Sequence, residues 1–226
     1  MSYARHVVAH LRKDLRIEWR AKDSINGMLF FSLLVVVVFS LAFDPASYPT
    51  VARQISGGLL WVGLLFAAIT ALNQSWSREL RNHVLDAHRL APSSASTLFL
   101  GKALANFLFV SAVEVVLAPV FAVFYNLHPL GQTKLLLLIL PLGTWALVCN
   151  GTFFAALSLR TRNRELLLPL VLLPISAPAL LAMIQATTAV LTGDSEPGLW
   201  LRGLVGYDII FTTLCMLLFD LVLRED

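Results

Sequence analysis

Apolar residues in this chain do not alternate with polar ones; they run on. Six stretches, at about 25–43, 57–76, 98–126, 135–159, 166–191 and 204–223, stay apolar for roughly 18 residues or more, the length at which a helix crosses about 30 Å of hydrocarbon. Lipid offers a backbone no hydrogen-bond partner, so such runs fold as helices even where they are as β-branched as "LLVVVVFS". The pattern predicts an all-α, polytopic membrane protein with six spans, forming a single transmembrane domain over 1–226.

Two polar stretches carry a helical period of their own. Within residues 3–22, Ala4, Val7, Val8, Leu11, Leu15 and Trp19 fall within about a third of the circumference at 100° per residue. Arg5, His6, Lys13, Arg16 and Arg20 point away from that stripe. A basic helix with Trp and Leu on its apolar side is expected to lie flat at the membrane interface. Within 78–91, Leu80, Val84, Ala87 and Ala91 form a second stripe, with Arg78, Arg81, His88 and Arg89 mostly opposite. This reads as a short surface helix stopped by Pro92, after which "SSAST" offers side-chain oxygens to cap the next helix. The stretch "DPASYPTVARQISGG" between spans one and two reads as a short, turn-forming loop.

Composition agrees. The chain is 58% hydrophobic and 14% charged, with a mean hydropathy of +0.76, whereas about a quarter of a soluble domain is charged. Its charge is unevenly placed. Arg5, Arg12, Lys13, Arg16, Arg20 and Lys22 precede span one, Arg78, Arg81 and Arg89 follow span two, Arg160, Arg162 and Arg164 follow span four, and Arg224 closes the chain. The opposite loops hold only Arg53, Lys134 and Arg202. The positive-inside rule therefore predicts both termini in the cytoplasm. The basic balance reports topology, and nucleic acid is not an expected partner. The first run ends at "FSLAFDP" without a small-residue cleavage site and reads as a permanent span.

The candidate chemistry is sparse. "LGKALA" holds a Gly-Lys pair, but Ser96 stands five residues before Gly101 and Ala103 follows Lys102, so it is no phosphate loop. No H-E-x-x-H or G-x-S-x-G motif occurs. Cys149 and Cys215 lie in apolar runs and read as buried small hydrophobes. His6, His10, His83, His88 and His128 all lie in flanks or loops. Neither a catalytic group nor a metal site is expected. Two intramembrane carboxylates stand out as candidates for a pathway or for helix pairing: Glu114 in span three and Asp208 near the outer end of span six. With Lys102 snorkelling to the membrane edge, Glu114 falls about 18 Å further along the helix. Pro169, Pro174 and Pro178 in "LLLPLVLLPISAPALL" predict a bent or interrupted fifth span and a candidate hinge.

The string "LAPSSASTLFLGKALAN" resembles permeases of the type-2 ABC exporter class. The chain as a whole resembles the haem exporter protein B (CcmB) family of the cytochrome c maturation system. "RKDLRIEWRAKDSINGMLFFSLLVVVVFSLAFDP", "GLLWVGLLFAAITALNQSWSRE", "RTRNRELLLPLVLLPISAPALLA" and "YDIIFTTLCMLLFDLVLRED" carry the likeness in order. One departure lies after span two. There the family has a small acidic turn, while "RNHVLDAH" places His83 and Val84 where a Gly is expected and offers only Asp86 as the acid.

The resemblance implies a single permease domain in the bacterial inner membrane. It would couple ATP hydrolysis by a separate ATP-binding subunit (CcmA-like) to haem export or to release of a haem-loaded chaperone (CcmE-like), alongside CcmC-like and CcmD-like membrane proteins. It implies no directly bound cofactor: ATP belongs to the partner subunit, and haem is the handled ligand. A six-span half-transporter is expected to pair as a homodimer. On this reading Arg78, Glu79, Arg81, Asp86, His88 and Arg89 dock the ATPase, with Leu80 and Leu85 supplying buried contact. The alternatives are a permease of the same class for lipid, polysaccharide or drug, and a non-transporting membrane scaffold for the ATPase.

Overall fold

The computed structural model describes residues 3–21, 23–81, 94–125, 127, 133–159, 161 and 164–224. The regular structure among them is helical: α1 (Tyr3–Ala21), α2 (Asp23–Phe43), α3 (Pro49–Arg81), α4 (Ala95–Phe124), α5 (Thr133–Ser158), α6 (Arg164–Thr192) and α7 (Gly198–Arg224). Helices α2 to α7 contain the six segments long and apolar enough to span a membrane. The expected class therefore stands, and so does the separate amphipathic helix at the start.

Two boundaries differ from expectation. Helix α3 begins at Pro49, well before residue 57, so most of the expected loop is helix. Proline suits the first helical turn, where its missing N–H has no intrahelical partner to lose. Gly57, which reads as a turn signal, instead lets α6 approach. A Cβ there would lie 3.0 Å from the Ile184 carbonyl oxygen. The real turn is at Asp44, whose φ of 40° ends α2 and whose carbonyl accepts from Ser47 and Tyr48. Helix α7 begins at Gly198, so Asp208 sits about 15 Å along it rather than near its end.

The caps and prolines also differ. Ser94 is the N-cap of α4, yet its side chain makes no capping bond. Its carbonyl accepts from the Thr97 N–H and hydroxyl, while its hydroxyl meets that of Ser96. Helix α6 is continuous through Pro169, Pro174 and Pro178, so the expected interruption is absent. In lipid the backbone groups that proline frees are re-satisfied by neighbouring helices and local adjustment, which lets a helix carry on through it.

Helix α3 is the central element, packed against α2, α4, α5 and α6. Its Trp61 is fully buried and donates from Nε1 to Thr187 Oγ1 of α6 at 2.9 Å. On its other side, Gly143 of α5 admits the indole so closely that an added Cβ would meet it at 2.2 Å. Between apolar helices in lipid there is little hydrophobic drive, so close approach over small residues holds them together. Helix α7 packs on α4, α5 and α6, while α1 lies against α4 and touches α2. The outward faces are apolar, as at Phe30, Leu41, Val115, Leu170 and Leu217.

Candidate functional site: a buried charge cluster joining α1, α3 and α4

Gly101 and Lys102, which do not cradle a phosphate, instead seat α1. A Cβ on Gly101 would lie 2.5 Å from His10 Cβ and 3.0 Å from the Val7 carbonyl oxygen. The α1 backbone therefore crosses α4 at this glycine. The turn of α1 that follows brings Asp14 and Glu18 down on the same side as Val7 and Leu11, at spacings of three and four residues.

Lys102 does not snorkel outward. It is 1% exposed and donates from Nζ to Glu79 Oε1 at 2.8 Å. It also lies 3.4 Å from Asp14 Oδ2 and 4.7 Å above the Trp76 ring. Lys13 donates to the same Glu79 oxygen at 2.7 Å and lies 3.3 Å from Asp14 Oδ1. Arg78 pairs with Glu18. Burial depresses the Lys13 ammonium, but the carboxylates of Glu79 and Asp14 outweigh it and hold its pKa above the ordinary lysine value. Three cations and three anions from three helices thus neutralise one another, and Lys102, Glu79 and Glu18 are almost fully enclosed, where losing one partner is far more costly than at a surface.

Part of the expected docking set is engaged within the bundle. Glu79 is turned inward and 5% exposed, so it is a structural partner of Lys102. Arg78 reaches Glu18 in the same way. Lys13, expected to point away from the apolar stripe of α1, joins the cluster. The side chains of Leu80 and Arg81, and the whole of Leu85, Asp86, His88 and Arg89, lie outside the described residues. So does the expected surface helix beyond Arg81. Periodicity missed the cluster because Asp14 and Glu18 border the apolar stripe of α1. Their place on the side of Val7 was the available signal.

The intramembrane carboxylates lie apart from the cluster. Glu114 on α4 is buried and accepts from Thr144 Oγ1 of α5 at 2.9 Å. Asp208 is buried on α7, and among the described residues neither of its oxygens has a hydrogen-bond partner. Around α7 runs a polar seam that the sequence reading did not single out. Trp145 donates to Thr212 Oγ1 at 3.0 Å, Asn150 Nδ2 to the Tyr207 hydroxyl at 2.7 Å, and that hydroxyl to the Ile175 carbonyl of α6. Cys149 and Cys215 are free and buried within the seam, near Thr212 and Asn150 respectively.

These features define a multi-pass helical membrane protein whose amphipathic first helix is locked by buried charge to its second and third spans. The CcmB protein family profile matches residues 5–224. Relatives named "Heme exporter protein B" include one from Pseudomonas aeruginosa, 31% identical over 89% of this chain and 90% of its own length. Another, from Rhodobacter capsulatus, is 34% identical over 76% of this chain and 78% of its own. A third, from Bradyrhizobium diazoefficiens, is 30% identical over 84% of each. The chain belongs to the CcmB family.

Proposed function

We propose that this chain is the membrane permease subunit of a haem-export ABC system that serves cytochrome c maturation. The observation that carries it is the family match across nearly the whole chain, on a bundle of six spanning helices. Work comes from a separate CcmA-like ATP-binding subunit docked on the end of α3 and the segment after it, through Arg81, Leu85, Asp86, His88 and Arg89, with Leu80 beside them. The cargo is haem, or the haem-loaded form of a CcmE-like chaperone. CcmC-like and CcmD-like proteins complete the assembly, and two copies of this chain face two ATPase subunits. The basic segments support a position of both termini on the cytoplasmic side of the bacterial inner membrane.

The charge cluster gives this reading a mechanical basis. The end of α3 bears Arg78 and Glu79, and these grip α1 and α4 through Glu18, Lys13 and Lys102. A displacement of the docking segment then moves three helices together rather than bending one, because packed, ion-paired elements shift as units. Affinity purification in mild detergent tests the assembly: a small ATPase and haem-handling membrane proteins are expected to copurify. Deletion is expected to abolish holo-cytochrome c while leaving other envelope traits intact. Normal holo-cytochrome c in the deletion strain would refute the assignment.

A further inference from the structure

The ion pairs between α1, α3 and α4 do not fill the space they enclose. A cavity of about 80 Å³ lies there, bordered by Lys13, Glu18, Ser75, Arg78, Glu79 and Lys102. Its two glutamates are more than nine-tenths buried, Glu18 at 6% and Glu79 at 5% exposure. Each commits one oxygen to an ion pair, Glu18 Oε2 to Arg78 and Glu79 Oε1 to Lys102 and Lys13. Among the described residues, Glu18 Oε1 and Glu79 Oε2 have no hydrogen-bond partner. A buried carboxylate oxygen without a donor is strongly unfavourable. The Lys, Arg and Ser donors that border the cavity leave these two oxygens unmet, and its volume exceeds the roughly 10–15 Å³ that one water needs.

A primary ammonium meets these requirements: it is compact, singly positive and carries three N–H donors. The source follows from what surrounds the cavity. Ile17 of α1 lines it and is 45% exposed, on a helix that also exposes Val8 and Trp19 beside Arg12 and Arg16. That mixture of aromatic, aliphatic and basic side chains belongs at the level of lipid headgroups. Lys13 keeps 33% of its side chain exposed, so it can meet an anion. We propose that the cavity binds the ethanolamine headgroup of a phospholipid, its ammonium donating to Glu18 and Glu79 and its phosphate meeting Lys13. Choline is excluded by chemistry, since its nitrogen has no hydrogen to donate and its methyl groups are larger. An ethanolamine lipid held here would pin α1 to α3 and α4 as a fourth component of the cluster.

The test is native mass spectrometry of the full-length chain in mild detergent, offered phosphatidylethanolamine and phosphatidylcholine with identical acyl chains. The ethanolamine lipid is expected to be retained at least about tenfold better, the size of one charge-assisted hydrogen bond. Glu18→Gln, which keeps shape and removes charge, is expected to bring the two lipids close to parity. Ser75→Met fills the cavity without touching an ion pair and is expected to abolish the preference; it decides the matter should Glu18→Gln fail to fold. Free ethanolamine that displaces the retained lipid supports the headgroup as ligand. Free ethanolamine that binds with no lipid preference assigns the cavity to a soluble amine and overturns the lipid assignment. Equal retention of both lipids by the native chain, or a preference unchanged in both variants, overturns the proposal.

Discussion

Glu79 carries more of this structure than its place in a charged stretch suggests. One of its oxygens accepts from both Lys102 and Lys13, and Lys102 is almost completely enclosed. Removing one member of a buried pair strands the other charge. Glu79→Ala is therefore expected to destabilise the chain by about 3–5 kcal/mol and to lower its yield and melting temperature in detergent. Removing both charges while keeping shape, as in Glu79→Gln with Lys102→Met, is expected to leave stability near that of the native chain, because buried ion pairs gain little over apolar isosteres. Thermal unfolding of the single and double variants measures this. Equal losses in the two would mean that charge pairing is not what Glu79 supplies. The sequence displayed every one of these residues but not their meeting. Lys13 and Glu79 are 66 positions apart, and Lys102 and Asp14 are 88 apart, distances over which no periodicity speaks.

The helices were legible because length decides them. An apolar run that spans hydrocarbon has no backbone alternative to a helix, so six were readable even through Pro119, Pro141 and the three prolines of α6. Their ends were less so, because glycine has two meanings. At Gly57 and Gly143 it marks contact with another helix rather than a turn, and only the neighbour reveals which. Gly143→Val is expected to force Trp61 out of place and cost about 1–3 kcal/mol. Gly203→Val, where an added Cβ meets nothing within 4 Å, is expected to leave the melting temperature of the isolated chain almost unchanged. Equal shifts would show that helix propensity, rather than the α3–α5 contact, sets the cost. Helix α6 stays continuous through its three prolines, so a hinge there would act by bending a whole helix rather than by joining two.

In the whole molecule, α3 is the packing centre and, on the proposed reading, the route from the docking segment into the bundle. It touches α2, α4, α5 and α6 along its length, and its last turns grip α1 and α4 by charge. Function at this level was legible only through resemblance, since the chain has no phosphate loop or nucleophile motif of its own to announce its chemistry. The likeness named a partner-driven permease; the folded chain adds a mechanical junction through which a partner would drive it. The most direct measurement uses Glu79→Gln with Lys102→Met, in which the junction's principal pair is gone but the fold is kept. In cells carrying only this variant, the ATP-binding subunit is expected to copurify at the native ratio while holo-cytochrome c falls by about tenfold, the loss of a coupling energy of ordinary size. Holo-cytochrome c at the native level, with the ATPase still bound, would contradict transmission through this cluster.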